Sequence, residues 1–476
     1  MSGIDPKQLE ACLRVLAEVD ELPIDHPDAV AVQRATAGHY KTVKLRRRAE
    51  KRDAILAADA AVTAATATGA PGRVDDETNG LPLSVRAQGA IAGTLLQPRA
   101  CYVCKTAYRE VDAFYHQLCP TCAALHHSRR EARADLSGRR ALLTGGRAKI
   151  GMHIALRLLR DGADTTITTR FPRDAIRRFT AMEDSADWLD RLRIIGIDLR
   201  DPVQVVALCD SVADRGPLDI LINNAAQTVR RSAGAYALLA EAEAAPLPPG
   251  PGLDVTVLGR TSDVHPALLG GSGEASHWAP TPHALTALAL TAGSASPQRI
   301  DEETAIDAGG LVPDRHPVNS WSQLVDEVDP IELLEVQLCN VTAPFILVGR
   351  LRPAMAAAPA RRKYVVNVSA MEGQFSRGYK GPGHPHTNMA KAALNMLTRT
   401  SSQEMRSDGI LMTSVDTGWI TDERPHPTKM RLAEEGFHAP LDLVDGAARV
   451  YDPIVRGEAG EDLYGCFLKD YRPSAW

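Results

Sequence analysis

The sequence predicts an α/β protein in which a doubly wound parallel sheet is preceded by a helical segment and a small four-cysteine zinc module. Three observations lead there. From Arg140 onward, short apolar runs of strand length alternate with segments of helical period, as in a parallel sheet covered on both faces. Residues 98–134 hold two Cys-x-x-Cys pairs, and residues 1–97 read as helix followed by linker. The expected units are 1–97, 98–134 and 135–476, the last interrupted by an insertion at about 230–330.

The N-terminal elements follow from their caps and period. Asp5 before Pro6 makes an N-cap and first-turn pair, and Leu9, Cys12, Leu13, Leu16 and Val19 then recur with helical spacing. A second helix is expected over roughly 28–65. Its run KLRRRAEKR (44–52) reads either as a solvated helix face or as a nucleic-acid contact. Gly, Pro, Asp and Asn become frequent over 66–99, as in a linker or irregular arm.

Composition narrows the class. A chain of 476 residues, 44% hydrophobic, can bury a substantial core in two or three units. A net charge of -5 and a pI near 6.3 exclude a global attraction to nucleic acid or anionic membranes. No run of about 18 apolar residues is found, and MSGIDPKQLE lacks the basic and apolar blocks of a signal peptide. The expectation is a cytoplasmic protein with no membrane association.

Eight cysteines in so long a chain do not make a disulfide scaffold. Cys101-x-x-Cys104 and Cys119-x-x-Cys122, with 14 residues between them, have the spacing of a zinc ribbon or knuckle. Four thiolates would close the coordination sphere, so the expected role is a structural Zn2+ site. Unligated thiols and redox pairs are the alternatives. His116, His126 and His127 stand nearby, and Tyr108, Phe114 and Tyr115 offer a small core. Arg129, Arg130 and Arg133 follow the module as a basic tail, which raises a nucleic-acid or protein partner as an expectation.

The sheet strands are read at ALLTGG from Ala141, then at 165–169, 193–198, 218–223, 363–369, 410–416 and 463–468. A helix is expected over about 150–161, ended by Gly162. The stretch between Asn224 and Asn340 is too long for an ordinary connection, and with PLPPGPG and GGSGEAS it reads as an irregular insertion.

Several motifs then converge. Thr144-Gly145-Gly146-Arg147-Ala148-Lys149-Ile150-Gly151 follows the first sheet strand, Asp198-Leu199 ends the third, and Asn223-Asn224-Ala225-Ala226 ends the fourth. Asn340, Asn367-Val368-Ser369-Ala370 and Thr387-Asn388-Met389-Ala390-Lys391 come later. Over about 136–476, apart from the insertion, these resemble a divergent short-chain dehydrogenase/reductase, which implies a Rossmann-type fold. The resemblance implies that Thr144, Gly145, Arg147, Lys149, Ile150 and Gly151 form the pyrophosphate turn at a helix N-terminus. It also implies that Asp198 and Leu199 stand near adenine, that Asn224 and Ala225 line the cofactor, and that Lys391 and Thr421 meet its nicotinamide half. Lys149 replaces the family's middle glycine, where it either crowds the cofactor or adds a cation.

At the end of the second strand an acid would select NAD(H), but the chain has Thr169-Arg170, with Arg147 and Arg173 close in sequence. Guanidinium groups suit a 2′-phosphate, so NADP(H) is favoured over NAD(H), solvated arginines being the alternative.

The family's catalytic Asn, Ser, Tyr and Lys correspond here to Asn340, Ala370, Thr387 and Lys391. An i to i+4 lysine lowers a tyrosine's pKa on one helix face, but an aliphatic threonine hydroxyl cannot act as acid or base near neutral pH. His386 and Tyr379, with Glu372 and His384, are the candidate replacements. The expected function is NADP(H)-dependent oxidoreduction of an unassigned small carbonyl or alcohol by a homo-oligomer. The alternatives are a cofactor-binding pseudoenzyme or sensor, and a zinc-ribbon protein that binds nucleic acid or protein on a Rossmann scaffold.

Overall fold

Asp5 caps the first helix, accepting from the Lys7 N–H at 3.0 Å, and Pro6 opens it. In the computed structural model, which describes residues 3–71, 73, 90–247, 254–258, 307–314, 316–420 and 423–476, this helix is α1 (Pro6–Val19). It folds back along α2 (Pro27–Ala64), and only Ala29 of α2 is buried. The far end of α2 is pinned by Asp59, whose carboxylate accepts from Leu96 N at 2.6 Å and Gln97 N at 3.2 Å.

The expected linker ends in a strand. β1 (Ile91–Ala100) pairs antiparallel with β2 (Ala107–Asp112), and α3 (Pro120–Glu131) follows. The expected linker segment 74–89 lies outside the described residues, as do PLPPGPG beyond Leu247 and all of GGSGEAS.

The main sheet is built from β3 (Arg140–Leu143), β4 (Asp164–Thr169), β5 (Leu192–Gly196), β6 (Ile220–Asn223), β7 (Asp254–Val257), β8 (Lys363–Ser369), β9 (Ile410–Asp416), β10 (Phe467–Lys469) and β11 (Arg472–Ser474). Their order is β11-β10-β9-β8-β6-β3-β4-β5-β7, and all pairs are parallel except β10 with β11. The order reverses between β3 and β6, which opens a crevice at their carboxyl ends. β7, an edge strand paired with β5, was not read in the sequence; it lies inside the insertion.

Strand alternation divides the core. Leu143, Ile220, Ile222 and Val366 face one layer with α4 (Lys149–Arg160), α5 (Pro172–Thr180) and α12 (Leu443–Glu458). Leu142, Leu221 and Val365 face the other with α6 (Pro202–Ala213) and α9 (Ala343–Ala356). A continuous helix runs from α8 (Pro330–Gln337) through a π turn (Leu338–Thr342) into α9. It is long and apolar enough to cross a membrane, but Val336, Ala343, Leu347, Leu351 and Met355 are buried, as a helix covering a sheet requires. The remaining helices are α7 (Ala237–Ala244), α10 (Pro385–Met405) and α11 (His426–Glu434).

The basic tail of the cysteine module is ion-paired within the fold. Arg129 pairs with Asp452 at 2.9 Å, Arg130 with Asp445 at 3.1 Å and with Asp442, and Arg133 with Asp161. These carboxylates belong to α4's end and to α12 with its cap, so the arginines bolt the module to the sheet domain. The module's core, including Cys101, Tyr115 and Leu118, is continuous with Ile420, Leu441 and Leu443.

Candidate active site

The turn after β3 is kept clear of side chains. A Cβ on Gly151 would stand 1.9 Å from the Gly145 carbonyl oxygen, and one on Gly145 would stand 3.0 Å from Ala225. Thr144 shapes this turn from below: its hydroxyl accepts from Asn224 N and Ala225 N, each at 3.0 Å, while Asn224 Nδ2 donates to the Thr144 and Gly145 carbonyls, each at 3.1 Å. Lys149 keeps the backbone a glycine would adopt, with φ +53°, and its ammonium pairs with Asp307 at 3.1 Å.

A cavity of about 400 Å³ runs along this turn. Gly145, Arg147, Lys149, Ile150, Gly151, Arg170, Asp198, Leu199, Asn224 and Ala225 line it, all of them expected from the sequence. Thr144 lies beneath it, and Thr421 lies outside the described residues. Phe171, Arg200, Tyr236, Cys339, Glu423 and Leu443 also line it, and the sequence did not single them out. Tyr236 had no legible signal because it sits at the start of the insertion; Arg200 follows the Asp198-Leu199 pair directly.

The two arginines expected to meet a 2′-phosphate differ. Arg147 ion-pairs with Asp174 and donates to the Gly309 carbonyl at 2.8 Å. A carboxylate therefore does approach this end of the site, contributed by α5, and it is shared with Arg178 at 2.7 Å. Arg170 instead lies over the Phe171 and Tyr236 rings, 5.6 and 5.1 Å from their centroids, and donates to the Tyr236 hydroxyl at 3.3 Å. Arg173 donates to the Glu243 and Ala245 carbonyls. Asp198 is gripped by Arg200 at 2.6 Å; burial raises its pKa, but the Arg200 hydrogen bonds with the charges of Arg200 and Arg170 more than offset this and hold it below the usual carboxylate value. Arg200 also reaches Glu335 at 2.9 Å, and Glu335 accepts from Gln227 Nε2 at 2.9 Å.

Asn340 sits in the π turn, a geometry frequent at functional sites. Its amide clamps the backbone of Gln227 at both ends, accepting from N–H and donating to C=O at 2.8 Å each. Lys391, in α10, donates to the Val368 carbonyl at 2.9 Å. Burial pushes its pKa down, against the opposing charges of Glu372 and Cys339.

The replacement candidates separate clearly. Tyr379 is 75% exposed in a glycine-flanked loop, so the structure does not fold it over Lys391. His384 caps α10 in a left-handed conformation and stacks on Trp321, with ring centroids 4.0 Å apart. His386 is buried, and both its ring nitrogens lack a hydrogen-bond partner among the described residues. The Thr387 and Ser369 hydroxyls are likewise buried and unpartnered there. None of these three residues lines the cavity along the glycine turn. Ala370 follows Ser369 and offers no hydroxyl. Burial, and next the neighbouring His384, lower the pKa of His386.

The cysteine cluster lies beside this site. Cys101 and Cys104 stand in the β1–β2 turn, Cys119 caps α3 and Cys122 is in its first turn; all four sulfurs lie within 4.8 Å of one another. Cys104 and Cys119 are 3.6 Å apart, close to the roughly 3.8 Å edge of a tetrahedron with Zn–S bonds of about 2.3 Å. The three histidines are engaged elsewhere: His116 with Thr68, His126 with the Cys122 carbonyl, and His127 with Asp112. In the same turn, Tyr102 accepts a hydrogen bond at 2.9 Å from Trp419 N–H, in the loop after β9. Burial raises the Tyr102 pKa to about 12, so it stays a neutral phenol.

Comparison with known proteins agrees with this architecture. Residues 139–242 match the family model described as short chain dehydrogenase. An uncharacterised protein, R665, of Acanthamoeba polyphaga mimivirus is 30% identical over 374 residues, covering 75% of this chain and 71% of that protein. A "Probable oxidoreductase" of Streptomyces lividans is 42% identical over 93 residues, 19% of this chain and 29% of that protein. Among solved structures, NADPH-bound carbonyl reductase from chicken fatty liver aligns with a TM-score of 0.43 and 18% identity, over 73% of this chain and 98% of that one. With its glycine turn at the β3/β6 crevice, its asparagine at the π turn and its lysine on α10, the chain carries a domain of the short-chain dehydrogenase type.

Proposed function

We propose that the protein is an NADP(H)-dependent oxidoreductase that interconverts a small carbonyl and its alcohol with an altered proton partner. The observation that carries this is the cavity along the glycine turn, lined by Arg170 and by Gln227, whose backbone Asn340 clamps; Lys391 stands apart from the lining, donating to the Val368 carbonyl. Arg170 is the guanidinium that reads a 2′-phosphate, since Arg147 is held by Asp174 and by the Gly309 carbonyl. Bound NADP(H) supplies or accepts the hydride. Lys391 holds its ammonium beside β8 to orient the cofactor's ribose, and Asn340 fixes the loop after β6.

Thr387 cannot exchange a proton near neutral pH, so His386 is the better candidate. Its lowered pKa keeps it neutral at neutral pH, as a base for alcohol oxidation. Its protonated form, populated as the pH falls, serves carbonyl reduction. One structural Zn2+ on Cys101, Cys104, Cys119 and Cys122 completes the protein.

The test is cofactor turnover in both directions with panels of small aldehydes, ketones and alcohols. His386→Ala should lose about 10²- to 10⁴-fold in rate, the usual worth of general acid or base catalysis. Thr387→Ala should change it by no more than a few-fold. Tight NADP(H) binding with no turnover in either direction would favour a second reading, a cofactor-binding sensor, for which the loss of the family's Tyr and Ser at Thr387 and Ala370 is the specific observation.

A further inference from the structure

The helical arm formed by α1 and the first part of α2, residues 3–54, belongs to neither the cofactor site nor the cysteine cluster. Among the described residues, the hydrogen bonds and ion pairs of residues 3–54 stay within that segment. No residue of α1 is buried, yet Leu9, Leu13 and Leu16 share one face. Monomers rarely leave a contiguous apolar face of this kind uncovered.

Charge along the arm is segregated. Residues 41–52 hold seven Lys or Arg and one Glu, whereas residues 18–28, at the turn between the helices, hold five Asp or Glu and no Lys or Arg. The basic block lines a groove of about 860 Å³, floored by Leu16, Tyr40 and Val43 and rimmed by Lys44, Arg47 and Lys51. At the turn, Ile24 is 81% exposed, flanked by Glu21 and Asp25. An apolar tip with an acidic collar thus matches an apolar groove with a basic rim. The two lie about 26 Å apart along α2, some seventeen residues at about 1.5 Å each, so they cannot meet within one chain.

We propose that the arm is a self-association surface. Two copies pair their α2 helices antiparallel about a two-fold axis near Ala35 and Gly38, so that each turn enters the other's groove. Such a contact is isologous and closes at two, because groove and tip are each used once. Small residues at the axis allow close approach, and a Cβ on Gly38 would meet nothing within 4 Å in the single chain. Burial of Ile24 and the Leu9–Leu16 face supplies the apolar drive, and the complementary charges set the register.

The experiment is light scattering on the full chain and two charge-reversed variants. Lys44→Glu/Arg47→Glu/Lys51→Glu and Asp20→Lys/Glu21→Lys/Asp25→Lys should each halve the wild-type assembly mass. An equimolar mixture of the two should restore it, which also shows that both are folded. Ile24→Asp should halve the mass without changing net charge at the groove, and cofactor affinity should match wild type in every variant. Variants that keep the wild-type mass, or a mixture that stays at the lower mass, would overturn the proposal.

Discussion

Replacing Arg170 by alanine separates the two cofactors in a way that other readings of the site do not. Among the described residues the guanidinium has one side-chain hydrogen bond, to the Tyr236 hydroxyl at 3.3 Å, and otherwise rests on two aromatic faces. Its N–H groups are therefore available to a phosphate, whereas Arg147 is held by Asp174 and Gly309. A hydrogen bond to a charged group contributes about 1.5–3 kcal/mol, and each 1.4 kcal/mol is about tenfold in affinity. Arg170→Ala should accordingly weaken NADP(H) about 10- to 150-fold. NAD(H) lacks the phosphate and should lose only ring contacts, about threefold or less at roughly 0.5 kcal/mol. Calorimetric titration of both cofactors against both proteins measures this directly. Asp174→Asn, which frees Arg147, should shift affinity the other way and tighten NADP(H). Equal losses for the two cofactors in Arg170→Ala would refute the assignment and return the arginine to a packing role.

Other consequences follow from the same geometry. Protein purified without added metal should hold one zinc per chain, and Cys104→Ser or chelation should weaken cofactor binding, because the Tyr102 to Trp419 hydrogen bond ties the cysteine turn to the loop after β9; metal analysis below about half an equivalent would reject the site. Arg130→Ala leaves Asp442 and Asp445 buried without their cation and should destabilise the fold by about 3–5 kcal/mol in denaturant melts. Alcohol oxidation should rise with pH through a pKa below 6.5 and carbonyl reduction should fall through it, and both dependences should vanish in His386→Ala. If proton transfer has simply been lost, Thr387→Tyr with Ala370→Ser should create activity absent from wild type.

The sequence was most legible where chemistry is local. β8 and β9 are continuous buried runs, and their predicted bounds, 363–369 and 410–416, match those observed. The glycine turn was readable because backbone approach, as at Gly151, excludes a side chain. The cysteine cluster was readable because two Cys-x-x-Cys turns at that spacing can bring four sulfurs together, here within 4.8 Å of one another. What stayed open depended on partners far away in the chain. Arg129, Arg130 and Arg133 read as a basic tail, and the fold brings Asp161, Asp442, Asp445 and Asp452 against them. Arg147 looked like a free cation until α5 brought Asp174 to it, and Tyr379 offered the right phenol on a loop that points outward. β7 was hidden because four residues in a proline- and glycine-rich insertion carry too little pattern to be separated from loop.

Hydride transfer itself is followed most directly with NADPH deuterated at the transferring position, mixed with the protein and a panel of small aldehydes and ketones. The predicted result is an alcohol carrying one deuterium on the former carbonyl carbon, formed in step with NADP+ and lost in Lys391→Ala and His386→Ala. Full NADPH binding with no labelled alcohol from any member of the panel would contradict it.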